Sequence, residues 1–432
     1  MRFTLSVVVG FLVLALAPAA SAQTANVSRH TLAHGLRVLV REDSSAGVVA
    51  VSLQARAGSR FETPETAGIT NFLQRAMIRG TTRYTAARLA EAAERLGGSL
   101  DASGDVDFAE IRGAALARNW EALLGLVAEV ALSPTLPAAE VDRERRLILS
   151  QIQTRGDNPF PLAFDTLLTD LYGPHPYALP SFGRRAVVER LTRDELLAHY
   201  QTLYRVDRLV LAVSGRIERD RVLRAAERLF GKLPPGGAPA SDPTVTPVST
   251  AQRRVMERPA QQAQVLVGYL GPALGDPDYA AVKVMSALLG GGMSGRFFAE
   301  LRDVQGLAYS LGVLNPARIG PAPIVAYLGT VRDSATAAEA GMVQQIERIS
   351  TEGAAEDEVA RARGYQLGLL AMDRRTNARH AWYLAFYEQA GVGWDFPDRY
   401  ARALAAVTAA DVTAAARRYL VRPTSVILLP RE

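Results

Sequence analysis

The second half of this 432-residue chain repeats the first. The strand-like run Val265-Leu266-Val267-Gly268-Tyr269 opens 216 residues after Val49, which lies in the similar run Val48 to Leu53. Thr408-Ala409-Ala410-Asp411 follows Thr192-Arg193-Asp194-Glu195 by the same 216 residues. Both quartets have the form of a capping box, a hydroxyl at the N-cap and an acid three residues on. Each precedes a helical stretch and then a strand, Leu209 to Val213 and Ser425 to Leu429. Glu140-Val141 and Glu358-Val359, each opening an Arg-bearing helix, sit at nearly the same offset. The spacing predicts two copies of one α+β unit of about 200 residues. The length agrees, since it exceeds what one hydrophobic core usually serves. Gly231 to Thr250 is rich in Pro, Gly, Ser and Thr without hydrophobic periodicity, and reads as the linker. The expected domains are therefore residues 26–230 and 251–432.

Within the first unit, Gly35 to Val40, Val48 to Leu53 and Phe108 to Leu116 read as strands. Ala86 to Leu96, Asn119 to Leu132 and a long stretch containing Gln151 read as helices. The chain has no Cys, which excludes disulfides, thiolate metal sites and Cys nucleophiles. Met1-Arg2, an apolar run from Leu5 to Leu16 and Ala20-Ser21-Ala22 have the order of an export signal over residues 1–22, with cleavage before Gln23. That run is too short for an ordinary membrane span. Export, to a periplasm in a Gram-negative source, is the expectation. Net charge is +5, but the basic residues are dispersed and only Lys232 and Lys283 are lysines. No basic block with interleaved aromatics appears, so nucleic acid is not an expected partner.

The most informative local stretch is Gly68-Ile69-Thr70-Asn71-Phe72-Leu73-Gln74-Arg75-Ala76-Met77-Ile78-Arg79-Gly80-Thr81. Ile69, Phe72, Leu73, Ala76 and Met77 form one apolar helical face, with Asn71, Gln74 and Arg75 together on another. Gly80 is expected to close the helix. The stretch resembles the zinc helix of the pitrilysin/insulinase-type peptidases, in which an inverted H-x-x-E-H motif holds the metal. The frame matches at Gly68, Phe72, Leu73, Gly80 and Thr81, and the chemistry departs from it. Asn71 and Arg75 stand at the two His ligands, and Gln74 at the general base. A further Glu ligand comes about 70–80 residues later in the family, and Gln151 occupies that position here. An amide is a poor zinc ligand and a guanidinium is always protonated. The resemblance thus implies a degenerate zinc site, with no metal in this chain.

A second stretch keeps its chemistry. Leu289-Gly290-Gly291-Gly292-Met293-Ser294-Gly295-Arg296 leads into Glu300-Leu301-Arg302-Asp303-Val304-Gln305-Gly306-Leu307-Ala308-Tyr309-Ser310. This is similar to the family's second signature, whose Arg and Tyr bind substrate backbone and the oxyanion of the intermediate. The resemblance carries those roles onto Arg302 and Tyr309, and places Gly290, Gly291 and Gly292 in a loop beside the peptide. Gly306 should end a helix after Arg302 and let Tyr309 begin a strand. Taken as residues alone, an Arg paired with a nearby acid and a Tyr packed at a strand end are the commoner outcome; the surrounding signature reverses that. No Gly-Lys-Ser/Thr follows the glycines, so a P-loop is rejected.

The five histidines supply no alternative centre. His30 and His34 are four apart, but His34-Gly35 precedes a strand and no acid lies between them. His175 sits in a Gly- and Pro-rich loop, and His199 and His380 in separate helical stretches without an evident partner. The resemblance implies two similar domains, each a mainly antiparallel sheet with helices packed on one face. It further implies the zinc-free subunit of a heterodimeric peptidase, with zinc and base in a homologous H-x-x-E-H partner and an unfolded peptide as substrate. The alternative is a non-catalytic peptide-binding or scaffold homodimer of the same fold.

Overall fold

The structure, a computed structural model, describes residues 26–237, 242–246 and 250–431. The export signal read over residues 1–22 lies outside them. Eleven strands in the described residues form two sheets: β1 (Val27–Thr31), β2 (Arg37–Glu42), β3 (Val48–Ala55), β4 (Ser99–Gly104), β5 (Ala109–Leu116), β6 (Leu209–Gly215), β7 (Gln252–Arg258), β8 (Ala263–Leu270), β9 (Ser310–Leu314), β10 (Pro323–Thr330) and β11 (Thr424–Pro430). The first sheet has the order β1-β2-β6-β3-β5-β4 and the second β7-β11-β8-β10-β9. Without β1, the two orders are the same. Each sheet is antiparallel except for one parallel pair, β2 with β6 and β7 with β11. This is the repeated α+β unit that the spacing predicts. The two capping boxes are present in kind: Glu195 N–H donates to Thr192 Oγ1 and Asp411 N–H to Thr408 Oγ1, both at 3.2 Å.

The expected helix layer covers one face of each sheet. The other face is covered too, by a helix from the opposite half. Helix Pro159–Tyr172 leaves the first unit and lays Ala163, Leu167 and Leu171 against Leu266, Val325, Val426 and Leu428 of the second sheet. Helix Asn377–Gln389 returns the exchange, packing Ala381, Leu384 and Ala385 on Leu39, Ala50, Val210 and Ala212. The exchange explains why β6 is buried along its whole length. A strand covered on both faces reads as a continuous apolar run, with no alternation.

A polar latch joins the halves elsewhere. Tyr177 Oη donates to Asp107 Oδ1 at 2.5 Å and accepts from Gly320 N–H at 2.9 Å. Ile319 N–H donates to Asp107 Oδ2 at 3.3 Å. No helix among the described residues is long and apolar enough to cross a membrane.

Candidate functional site

The motif helix runs from Ile69 to Met77, with its apolar residues in the first core as their spacing requires. Its N-terminus is held by the buried Glu62 carboxylate, which accepts from Gly68 N–H at 2.7 Å and Thr70 N–H at 2.9 Å. Burial raises the pKa of Glu62 above the usual carboxylate range, against those two hydrogen bonds. Gly80 does not close the helix as expected. The helix ends at Met77, and Gly80, three residues further on, pairs in extended form with Thr85. What Gly80 provides is space, since a Cβ there would lie 2.8 Å from Pro137 Cγ.

The four degenerate positions do not behave alike. Asn71 is buried, with its backbone against Gly104 at the end of the edge strand β4; a Cβ on Gly104 would lie 2.9 Å from Asn71 Cα. Gln74 is wholly buried, its Oε1 accepting from Tyr204 Oη at 3.0 Å. Arg75 reaches across to the long helix Ala138–Asp157. Its Nε donates to Glu144 Oε2 at 2.9 Å and its guanidinium NH1 to Gln151 Oε1 at 2.5 Å. A second guanidinium, of Arg79, stands with Nε 2.7 Å from Glu144 Oε1. The structure thus brings Arg75 and Gln151 together, as a ligand pair would be, but around a fixed organic cation.

These residues do not fit zinc. The one carboxylate of the group, Glu144, is fully buried and already neutralised by two guanidinium groups. Among the described residues no three His, Cys, Asp or Glu are grouped to hold a metal. Sequence reasoning passed over Glu144. Its signal was present, because it lies two helical turns before Gln151 and shares that residue's face.

In the second half, residues Phe297 to Val304 form a helix wound with wider turns, so that Gln305 N–H donates to Glu300 O five residues back, at 3.1 Å. Single wide turns of this kind gather at functional sites. Gly306 follows in the left-handed conformation at φ 65°. Tyr309 N–H donates to Gly329 O at 3.1 Å, one residue before edge strand β9 opens at Ser310. Arg302 is exposed, its guanidinium 4.6 Å from the centre of the Phe298 ring. The Tyr309 side chain is 78 % exposed. Neither side chain has a hydrogen bond within the described residues, in contrast to Arg296 of the same signature, which forks onto Glu358 at 2.8 and 2.7 Å. Gly290 ends helix Tyr279–Gly290 hard against β9; a Cβ there would lie 2.6 Å from Val313 N. Gly291 and Gly292 continue the turn toward Tyr365. No hydrogen bond or ion pair among the described residues joins Arg302 or Tyr309 to the motif helix.

The histidines have local roles. His199 has a partner after all, Thr70 Oγ1 at 3.0 Å from Nε2, and burial lowers its pKa to about 4. His34 Nδ1 lies 3.3 Å from Glu227 Oε1. His175 Nδ1 accepts from Tyr177 N–H at 3.1 Å and so shapes the loop bearing the latch.

Comparisons with known proteins find one peptidase family across both halves of the chain. The family profile "Insulinase (Peptidase family M16)" matches residues 37–184, and "Peptidase M16 inactive domain" matches residues 190–364. An "Uncharacterized zinc protease" of Rickettsia bellii is 25 % identical over 94 % of this chain and 98 % of its own length. Another of Mycobacterium tuberculosis is 30 % identical over 68 % of each chain. A solved structure described as a peptidase M16 inactive domain from Pseudomonas fluorescens superposes with a TM-score of 0.88 at 24 % identity, covering 94 % of this chain and 98 % of that one. A protease from Helicobacter pylori gives 0.87 at 21 % identity, covering 94 % and 99 %.

Proposed function

This chain belongs to the insulinase (M16) peptidase family, and from that premise we propose that it is the zinc-free subunit of a two-chain metallopeptidase. The observation that carries the reading is an asymmetry. At the ligand positions Arg75 is locked into Glu144 and Gln151, whereas Arg302 and Tyr309 present unengaged donors to solvent. A guanidinium fork and a phenol O–H are donors suited to a peptide carbonyl whose oxygen becomes negative during hydrolysis. A homologous H-x-x-E-H subunit supplies zinc and base, by metal-activated attack of water on an amide. This chain supplies Arg302 and Tyr309 in trans, with Gly290, Gly291 and Gly292 lining the peptide's path.

The substrate is an unfolded peptide held by strand addition. The outer edge of β4 is the natural acceptor, because it is the last strand of its sheet and ends against Asn71. The complex works after export. The test is peptide hydrolysis by this chain, by its H-x-x-E-H partner and by the two mixed. Activity only in the mixture is the expected result. Chelator-sensitive hydrolysis by this chain alone, free of contaminants, overturns the reading. Full activity of the partner alone favours the scaffold alternative.

A further inference from the structure

The face of the first sheet that receives the exchanged helix is only partly covered. Helix Asn377–Gln389 lies over β6 and β3 and leaves the β5 and β4 end of that face open. A cavity of about 360 Å³ remains there, running from Ser99 and Asp101 on β4, across Glu110 and Arg112 on β5, to Ser52 on β3, with Trp382 at its helix wall. Its floor is polar, unusually for the inside of a sheet. Glu110 is 1 % exposed, and Gln54 beside it is wholly buried.

The polar groups lining the cavity are short of partners. Ser52 Oγ donates to Glu110 Oε1 at 2.5 Å, and Gln54 Nε2 approaches the same oxygen at 3.4 Å. Both are neutral donors. The nearest cation, Arg112, is held tightly by Asp101 and reaches Glu110 Oε2 only at 3.4 Å. Arg379, on the helix wall, is engaged by Asp373 at 2.5 Å and stacked on Trp382. One arginine therefore serves two carboxylates, Asp101 and Glu110. Gln54 Oε1 adds a buried acceptor with no partner. Buried polar groups left so are costly unless something completes them.

We propose that this cavity is a subsite for one long basic side chain, lysine or arginine, of a peptide added to the edge of β4. The inference rests on the peptide-holding role proposed above and names a feature of its substrate. Strand geometry supports it. Ser99, Asp101 and Ser103 point to the cavity face, because alternate residues of a strand share a face. A peptide strand beyond β4 therefore sends every second side chain to that face as well. Such a strand lies two strand spacings from β5, roughly 9.5 Å. A short side chain stops above β4. A lysine or arginine passes over the small Ser103, which pairs with Glu110 in the ladder, and delivers its charge to that carboxylate.

The probe is a fluorescein-labelled, unstructured 12-residue peptide with a single lysine, its binding to the full mature chain followed by anisotropy. Three counterparts replace the lysine by norleucine, arginine or 2,4-diaminobutyrate. The lysine and arginine peptides should bind roughly tenfold more tightly than the norleucine peptide, the scale of one charged hydrogen bond. The diaminobutyrate peptide, with equal charge on a shorter stem, should bind like norleucine. In E110Q the lysine peptide should lose its advantage over the norleucine peptide. Equal binding of lysine and norleucine peptides overturns the subsite and leaves the peptide-holding role standing. Equal binding of lysine and diaminobutyrate peptides also overturns it, by showing a diffuse field in place of a reached carboxylate; this comparison uses the unmutated chain and does not depend on the folding of E110Q. Failure of every peptide to bind overturns the peptide-holding role together with the subsite.

Discussion

Arg75 and Glu144 form an ion pair, Nε to Oε2 at 2.9 Å, between the motif helix and the long helix, where family members carry a metal ligand. The cation that joins the two helices is thus covalently part of the chain. Arg79 shares the carboxylate. The Arg75→Met substitution removes one of two cations from a fully buried acid and should cost about 3 kcal/mol. Urea denaturation measures it. A change below about 0.5 kcal/mol, the range of ordinary surface substitutions, would show that Glu144 needs no such neighbour.

The frame around these positions invites a graft. Asn71→His, Gln74→Glu, Arg75→His and Gln151→Glu together should create a chain that retains one equivalent of zinc through gel filtration, while the parent retains none. Arg75 and Gln151 already meet at 2.5 Å, so the two positions face each other across the helix pair. Elemental analysis of both proteins is the measurement. A graft with no more zinc than its parent would mean that matching residues in the right order do not suffice.

Tyr309→Phe removes a single hydroxyl from a side chain that is 78 % exposed. Stability should not change. In the reconstituted pair, kcat should fall by about 10²–10³, the usual loss for one donor to a developing oxyanion. Unchanged turnover would remove Tyr309 from the reaction.

The latch offers a different readout. Tyr177→Phe leaves the Gly320 N–H and one Asp107 oxygen without their buried partner. The expected cost is about 1–3 kcal/mol. Faster hydrogen exchange at Ile319 and Gly320 should accompany it. Loss of stability without local exchange there would place the effect elsewhere.

Acid should weaken the protein through His199. Its pKa is lowered from 6.5 to about 4 by burial, so between those values the unfolded chain takes up a proton that the folded chain refuses. The stability it supports is fully present above pH 6.5 and is lost as pH falls toward 4, by about 1.4 kcal/mol per pH unit. The buried carboxyls Glu62, Asp107 and Glu110 have raised pKa values and act in the opposite sense. They are common to parent and His199→Gln, so the difference between the two denaturation curves isolates the histidine. That difference should shrink on acidification; a pH-independent gap would contradict it.

The architecture of each half could be read from the amino-acid order alone. Capping boxes, strand runs and helical periodicity are local, and their recurrence at 216 residues announced two like units. That order also showed that Asn71, Arg75 and Gln151 are poor zinc ligands, because ligand ability belongs to a side chain wherever it lies. What fills the gap became visible in the folded chain. Glu144 looked like one more charge on an Arg-rich helix until Arg75 and Arg79 were seen to converge on it. The exchange of helices Pro159–Tyr172 and Asn377–Gln389 was equally hidden, since an apolar helical face does not say which sheet it will cover. The polar floor around Glu110 is written in β3 and β5, but its openness depends on where the returning helix stops. Contacts of this kind join residues far apart in the chain, and no local pattern encodes their partners.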